Sequence, residues 1–261
     1  VRYEAASCTH IGARTEQQDR VLVLQRDDDL LLVLADGMGG HEDGALAAQT
    51  VIDTARELFE SSDAVDSEDL LVSIANAAHT RINVAGAERG VSPHSTCVLL
   101  HLTKKRAAWA HVGDSRLYRF DQGRLSGRTT DHSVVELLRL QGRISEDEMK
   151  THPRKNAVYE ALGGEESPEV EMAVQAVAAT DEFLLASDGL WENVTDLELE
   201  AVFEMPDLSE ALEKLVKSAR RRGGKTCDNI SVVAARQRRA ARSLAGRLRR
   251  GLHTGRARRS G

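Results

Sequence analysis

The chain has 261 residues, 41% hydrophobic but only 3% aromatic, enough for one large aliphatic core or two small ones. Its net charge of −6 is uneven: from Arg236 onward there are ten arginines and no acid, leaving 25 basic against 41 acidic side chains in the first 235 residues. So acidic a body excludes nucleic acid as the main ligand of the folded part, because phosphate backbones require positive surface. No apolar run reaches the length of a membrane span, and Val1-Arg2-Tyr3-Glu4 lacks the apolar stretch of a signal peptide, so a soluble cytoplasmic protein is expected. Cys8, Cys97 and Cys227 lack paired metal-ligand spacing and are odd in number, as for reduced thiols.

In chain order, Val21-Leu22-Val23-Leu24 and Leu30-Leu31-Leu32-Val33-Leu34-Ala35 flank Asp27-Asp28-Asp29, which predicts a hairpin. Apolar residues at helical spacing predict helices over 42–59 and 66–88. Runs over 96–103, 107–112 and 116–120, closed by Asp121-Gln122-Gly123, read as an antiparallel meander. The polar, irregular stretch 131–164 is a long insertion of the kind that usually carries function. Strands are expected again at 170–174 and 182–186, a helix at 208–222, and a last strand at 229–234. This order is α+β in one domain, with sheets covered by helices.

Apolar strands are punctuated by aspartates: Ala35-Asp36-Gly37-Met38-Gly39-Gly40, Gly113-Asp114-Ser115-Arg116, Ser187-Asp188-Gly189 and Asp228-Asn229. One Asp-Gly after a strand is ordinarily a turn. Four such carboxylates brought to one sheet edge would repel each other and resist burial unless a cation lay between them. Hard divalent ions such as Mg²⁺ or Mn²⁺ suit oxygen ligands, and glycine after aspartate lets a main-chain carbonyl approach the same ion.

The ordered set of motifs resembles the bacterial form of the metal-dependent protein serine/threonine phosphatases of type 2C, also called PPM. It includes Gly12-Ala13-Arg14, Gln17-Gln18-Asp19, Asp36-Gly37-Met38-Gly39-Gly40-His41 and Val112-Gly113-Asp114-Ser115-Arg116. It continues through Asp131-His132-Ser133, Ala161-Leu162-Gly163, Ser187-Asp188-Gly189-Leu190-Trp191 and Asp228-Asn229-Ile230-Ser231. The resemblance implies two antiparallel sheets packed as a sandwich flanked by helices, a phosphatase domain over 1–235 with a flap at about 131–164, and a separate Arg-rich tail over 236–261. It also implies two to three divalent ions, Mn²⁺ or Mg²⁺. Asp36 would bridge two of them, the Gly37 carbonyl would bind one, Asp188 and Asp228 the other; Asp19 would act through water, and Asp114 with Asp188 would hold a third. Arg14 would grip the substrate phosphate as a bidentate fork, while a metal-bridged water attacks phosphorus. The implied substrates are phosphoproteins made by a Ser/Thr kinase, and the implied state is a monomer.

The chain departs from the family at a few places. Met38 stands where animal members have a histidine thought to protonate the leaving group, Gln17 replaces a frequent Asn, and Ser95-Thr96-Cys97 stands where Gly-Thr-Thr is usual. No carboxylate is lost. Two other readings compete: a non-catalytic, metal-stabilised phosphoprotein-binding module, and a cysteine phosphatase using Cys8 and Arg14 in C-x₅-R. With 28 arginines in the chain that spacing arises readily by chance. Arg139, Arg143, Lys150 and Arg154 of the flap are expected to orient phosphopeptides, and the basic tail, with Leu244, Leu248 and Leu252 at four-residue spacing, to meet solvent, anionic lipid or an acidic partner.

Overall fold

A computed structural model describes residues 3–39, 42–61 and 66–237. Eleven strands form in that span: β1 (Tyr3–His10), β2 (Asp19–Arg26), β3 (Asp29–Met38), β4 (His94–Ser95), β5 (Cys97–Leu102), β6 (Arg106–Val112), β7 (Arg116–Asp121), β8 (Arg124–Arg128), β9 (Glu171–Ala176), β10 (Asp181–Ala186) and β11 (Ile230–Gln237). They build a five-stranded sheet, β1-β11-β10-β7-β8, and a six-stranded sheet, β2-β3-β5-β6-β9, with β4 added beside the end of β3. The pairings are antiparallel.

The period of two in β3 explains why it reads as an unbroken apolar run. Leu30, Leu32 and Leu34 face the space between the sheets, where they meet Val98, Leu100, Leu117, Phe183, Leu185 and Val233. Leu31, Val33 and Ala35 face α1 (Glu42–Ser61) and α2 (Ser67–Arg89) on the outside. With both faces covered, the stretch from Leu30 to Ala35 is apolar at every position. On the other sheet lie α6 (Asp196–Glu204) and α7 (Leu208–Gly223), the latter presenting Leu208, Ala211, Leu212, Leu215, Val216 and Ala219 at helical spacing. The result is the expected α+β sandwich with helices on both outer faces.

Three expectations need correction. The meander over 96–120 is split: β5 and β6 belong to one sheet and β7 to the other. Gly113 makes that crossing, with φ of 104° and a Cα against which a side chain would collide with Thr96. Sequence periodicity shows where strands are, but not which sheet they join. Second, Arg236 and Gln237 belong to β11 and not to a tail: Arg236 donates to Glu4 Oε2 at 2.9 Å and to the carbonyls of Met205 and Pro206 at 2.7 and 2.6 Å. The remainder of the Arg-rich segment lies outside the described residues. Third, β1, β8 and α6 were not foreseen, because strands at a sheet edge and half-exposed helices leave weak periodic signals.

The flap region folds into α3 (Val134–Leu140), capped by Ser133, and α4 (Glu146–Met149), closed by a capping box between Ser145 and Glu148. Its far end is fixed: Leu162 bridges Ser95, and Asn83 of α2 exchanges two hydrogen bonds with Gly164. No helix among the described residues is long and apolar enough to cross a membrane.

Candidate active site

At one end of the sandwich the strands deliver carboxylates from both sheets. Asp19 opens β2 and Asp36 lies near the end of β3, and the β2–β3 register places them directly opposite each other. Like charges in that position repel. From the other sheet, Asp188 begins the short helix α5 (Asp188–Trp191) after β10, and Asp228 precedes β11. Asp114 sits where the chain crosses between the sheets.

These groups sense one another. Burial raises Asp36 well above the usual carboxylate range, and the charges of Asp19, Asp188, Asp114 and Asp228 raise it further. Asp188 is raised in the same way, by burial first and then by Asp114, Asp228 and Asp19. Asp19, 2% exposed, is pushed up to about 6 by burial despite the Ser231 and Ser187 hydroxyls beside it. Asp114 is pushed up to about 7, by burial and then by Asp131, against the pull of Arg116.

The backbone around each carboxylate is held firmly. Asp36 N donates to Thr96 Oγ1 at 3.1 Å, and its carbonyl accepts from Thr96 N at 2.9 Å and from Ser95 Oγ at 3.1 Å. Ser95, a departure from the family wording, thus adds a bond beneath the site. Gly37 is required by close approach: a side chain there would run into the Gly44 carbonyl in the first turn of α1. Asp19 Oδ2 accepts from Ser187 Oγ at 2.9 Å, a tie between the two sheets. Its Oδ1 is buried without a hydrogen-bond partner among the described residues. An orphaned carboxylate oxygen amid four other carboxylates is the donor chemistry a hard cation satisfies.

Arg14 lies at the rim, 58% exposed, and its Nη2 donates to Asp228 Oδ2 at 2.6 Å. Its loop is organised by Asn229, which sequence reading treated only as a companion of Asp228. The Asn229 amide donates to the carbonyls of Ile11 and Glu16, both at 2.9 Å, and accepts from Gln18 N at 2.8 Å. Replacing Asn229 with alanine removes three hydrogen bonds to part-buried backbone groups, each worth about 1 kcal/mol, and is expected to cost roughly 3 kcal/mol. The urea midpoint would report this, and an unchanged midpoint would refute it.

A profile of the family described as Protein phosphatase 2C matches residues 8–228. The chain belongs to this family. The serine/threonine protein phosphatase PstP of Mycobacterium tuberculosis is 33% identical over 230 residues, covering 84% of this chain and 44% of that protein. The chain therefore spans less than half of that relative. The PstP/Ppp crystal structure from the same organism aligns with a TM-score of 0.82 at 31% identity, over 91% of this chain and 99% of that one. The serine/threonine phosphatase stp of Listeria welshimeri is 32% identical over 215 residues, 80% of this chain and 84% of its own length. The catalytic domain of PstP in complex with two manganese ions aligns with a TM-score of 0.79 at 29% identity, over 90% and 97% of the two chains.

Within this 2C frame, Asp19, Asp36, Gly37, Asp114, Asp188 and Asp228 converge as the motif order implied, with Arg14 beside them. The cysteine alternative fails on geometry. Cys8 lies within β1, paired with Val232, and burial raises its thiol pKa where a nucleophile needs it lowered. Arg14 leads into another strand, and its guanidinium engages a carboxylate. His41 and Gly40 lie outside the described residues, and Met38 pairs with His94 of β4.

Glu192 was missed. It follows Asp188 by one helical turn, and its charge raises both Asp188 and Asp114. The i, i+4 spacing was the available signal. It lines a cavity of about 760 Å³ together with Asp114, Arg116, Asp131, Lys155 and Trp191. Arg116 forms a two-pronged pair with Asp131 at 2.8 and 2.7 Å and lies 3.5 Å over the Trp191 ring, whose Nε1 donates to the Asp114 carbonyl. Of the flap cations expected to orient phosphopeptides, Arg139 is paired with Glu136 at 2.8 and 2.7 Å and Lys150 with Asp147 at 3.3 Å.

His111, His132 and Glu171 also come together, 3.4 and 3.9 Å separating the Glu171 Oε2 from the two Nε2 atoms. The hydrogen bonds of His132 oppose a metal at its Nε2, while the Nδ1 of His111 is buried without a partner among the described residues. The Thr130 carbonyl, 2.8 Å from His111 Nε2, can only accept, and Gly113 N donates to His132 Nδ1. Both Nε2 atoms therefore carry hydrogen: His111 bonds Thr130 and packs its ring on His132, and His132 bonds Glu171, a polar seam joining β6, the flap root and β9.

Proposed function

We propose that the chain hydrolyses phosphoserine and phosphothreonine in proteins, with two divalent ions held by Asp19, Asp36, the Gly37 carbonyl, Asp188 and Asp228. The observation that carries this reading is the charge balance of the site: five mutually repelling carboxylates from two sheets, an orphaned Asp19 oxygen among them, and a guanidinium at the rim. The phosphatase names of the relatives and the manganese in a related structure support it. Mn²⁺ or Mg²⁺ at these oxygens would lower the pKa of water enough to supply a nucleophile at neutral pH and offset charge on the phosphate.

The protein's own groups do the rest. Arg14 engages one of its five N–H donors on Asp228, leaving a fork for phosphate oxygens and a neighbour that fixes its direction. Asp19 and Ser187 tie the sheets together, so the carboxylates from β2, β3, α5 and the β11 entrance keep their spacing. Asp114 with Asp188 is the pair for a third ion. With Met38 in the family's histidine position, no side chain at that point can protonate the leaving group.

The same reading places the protein in the cytoplasm as a monomer opposing a Ser/Thr kinase, with the domain over residues 1–237 and the basic tail meeting anionic lipid or an acidic partner. A phosphothreonine-peptide assay with manganese and with chelator tests the function. Activity should vanish with chelator and survive Cys8→Ser. Arg14→Ala should raise KM about 10- to 100-fold, the loss of a charge-assisted pair of bonds worth roughly 1.5–3 kcal/mol, with manganese binding retained. Manganese-independent turnover would refute the proposal, and tight phosphopeptide binding without turnover would favour the binding-module alternative.

A further inference from the structure

Lys155 is a flap cation outside the four expected to orient phosphopeptides, and it reaches out of the flap to a carboxylate. Its Nζ lies 2.8 and 3.0 Å from the two carboxylate oxygens of Glu192, outside the flap. Glu192 is part of the charge cluster, since it raises both Asp114 and Asp188. Asp114, Glu192 and Lys155 border one cavity. Acidic and basic side chains line that cavity in equal number, and the Lys155 ammonium is the cation already seated on Glu192.

We propose that Lys155 is the resident counter-ion of the third cation position, so that a divalent ion entering beside Asp114 and Asp188 competes with it for Glu192 and, on winning, frees the flap. This rests on the metal assignment above. Two positive groups cannot both be close to one carboxylate without repelling each other, and a divalent ion brings twice the charge of an ammonium. Lys155 and Glu192 are each about one-third exposed, 37% and 34%, so the pair is weak enough to be displaced. The segment that Lys155 anchors follows α4 and carries the 152–155 and 154–157 turns, and its release would loosen the cavity wall without unfolding β10 or α5.

The test is calorimetric titration of chelator-stripped full chain with Mn²⁺, paired with hydrogen exchange of residues 146–157. Lys155→Ala should tighten the weakest manganese site about fivefold, or reveal one where the unsubstituted chain shows none, while the tighter sites stay unchanged. Lys155→Arg, which keeps the charge, should behave as the parent. Lys150→Ala, which removes the same charge from a lysine paired with Asp147, should leave the site unaltered. In the parent, exchange of the flap should accelerate as the weakest site fills; in Lys155→Ala it should be fast throughout.

Weakest-site affinity within twofold of the parent in Lys155→Ala overturns the proposal, as does an equal change in Lys150→Ala. Parent flap exchange that is indifferent to manganese does the same. Absence of any tight manganese binding in the parent would instead bring down the metal assignment itself.

Discussion

Asp36→Asn is expected to lower kcat/KM toward a phosphothreonine peptide by about 10³-fold or more while raising the melting temperature of the chelator-treated protein. Asp36 is the carboxylate whose charge is opposed by most others in the site: Asp19 across the β2–β3 ladder, then Asp188, Asp114 and Asp228. Asparagine keeps the shape and removes the charge. Without metal, the substitution relieves repulsion, and a gain of about 1 kcal/mol corresponds to roughly 2–4 °C in a domain of this size. With metal, it removes the ligand proposed to be shared by two ions, so the catalytic loss is large. Opposite signs for activity and apo stability distinguish a working site from a structural one. Activity within tenfold of the parent, or a lower apo melting temperature, would contradict the assignment.

The second large effect is on the pH dependence of stability. Asp19 rises to about 6 and Asp114 to about 7 in the folded state, against an unfolded value of 3.8. A carboxyl whose folded pKa is raised binds its proton more tightly when folded. Metal-free stability is therefore greatest below about pH 4 as far as these groups are concerned, and falls as pH climbs through 6 and 7. Divalent ions held by these carboxylates, as proposed above, would take the place of those protons. The melting-temperature gap between manganese-loaded and chelated protein should widen from pH 5 to pH 8 by on the order of 10 °C. Thermal scans in matched buffers would measure it, and a gap of equal size at both pH values would show that the carboxylates do not share their charge.

Much of the site was legible because its chemistry is local in sequence. Asp36-Gly37, Asp114, Ser187-Asp188-Gly189 and Asp228-Asn229 each end or precede an apolar run, and strand ends are where a sandwich gathers its loops. The third dimension was not legible. Nothing in the spacing of residues 96–120 showed that the chain changes sheets at Gly113, since periodicity records which face is buried and not which neighbour is paired. Asn229 escaped notice because its work is done on backbone groups more than 200 residues away. Glu192 and Lys155 escaped because a charged pair 37 residues apart leaves no pattern, whereas Arg139, one of the four flap cations singled out, is paired with Glu136 on its own helix.

The division of the carboxylates between the sheets also gives the sandwich unequal ends. No strand among the described residues belongs to both sheets. At the end remote from the aspartates the layers are buttoned by the protein itself, through the Tyr3 hydroxyl donating to the Thr103 carbonyl at 2.8 Å. At the aspartate end, Ser187 and Asn229 supply a few bonds against a concentration of negative charge. Stripped of ions, the molecule resembles a clam with a sound hinge and a sprung lip, so proteolysis of the chelated protein should begin at the 11–18 loop and leave the Tyr3 end intact.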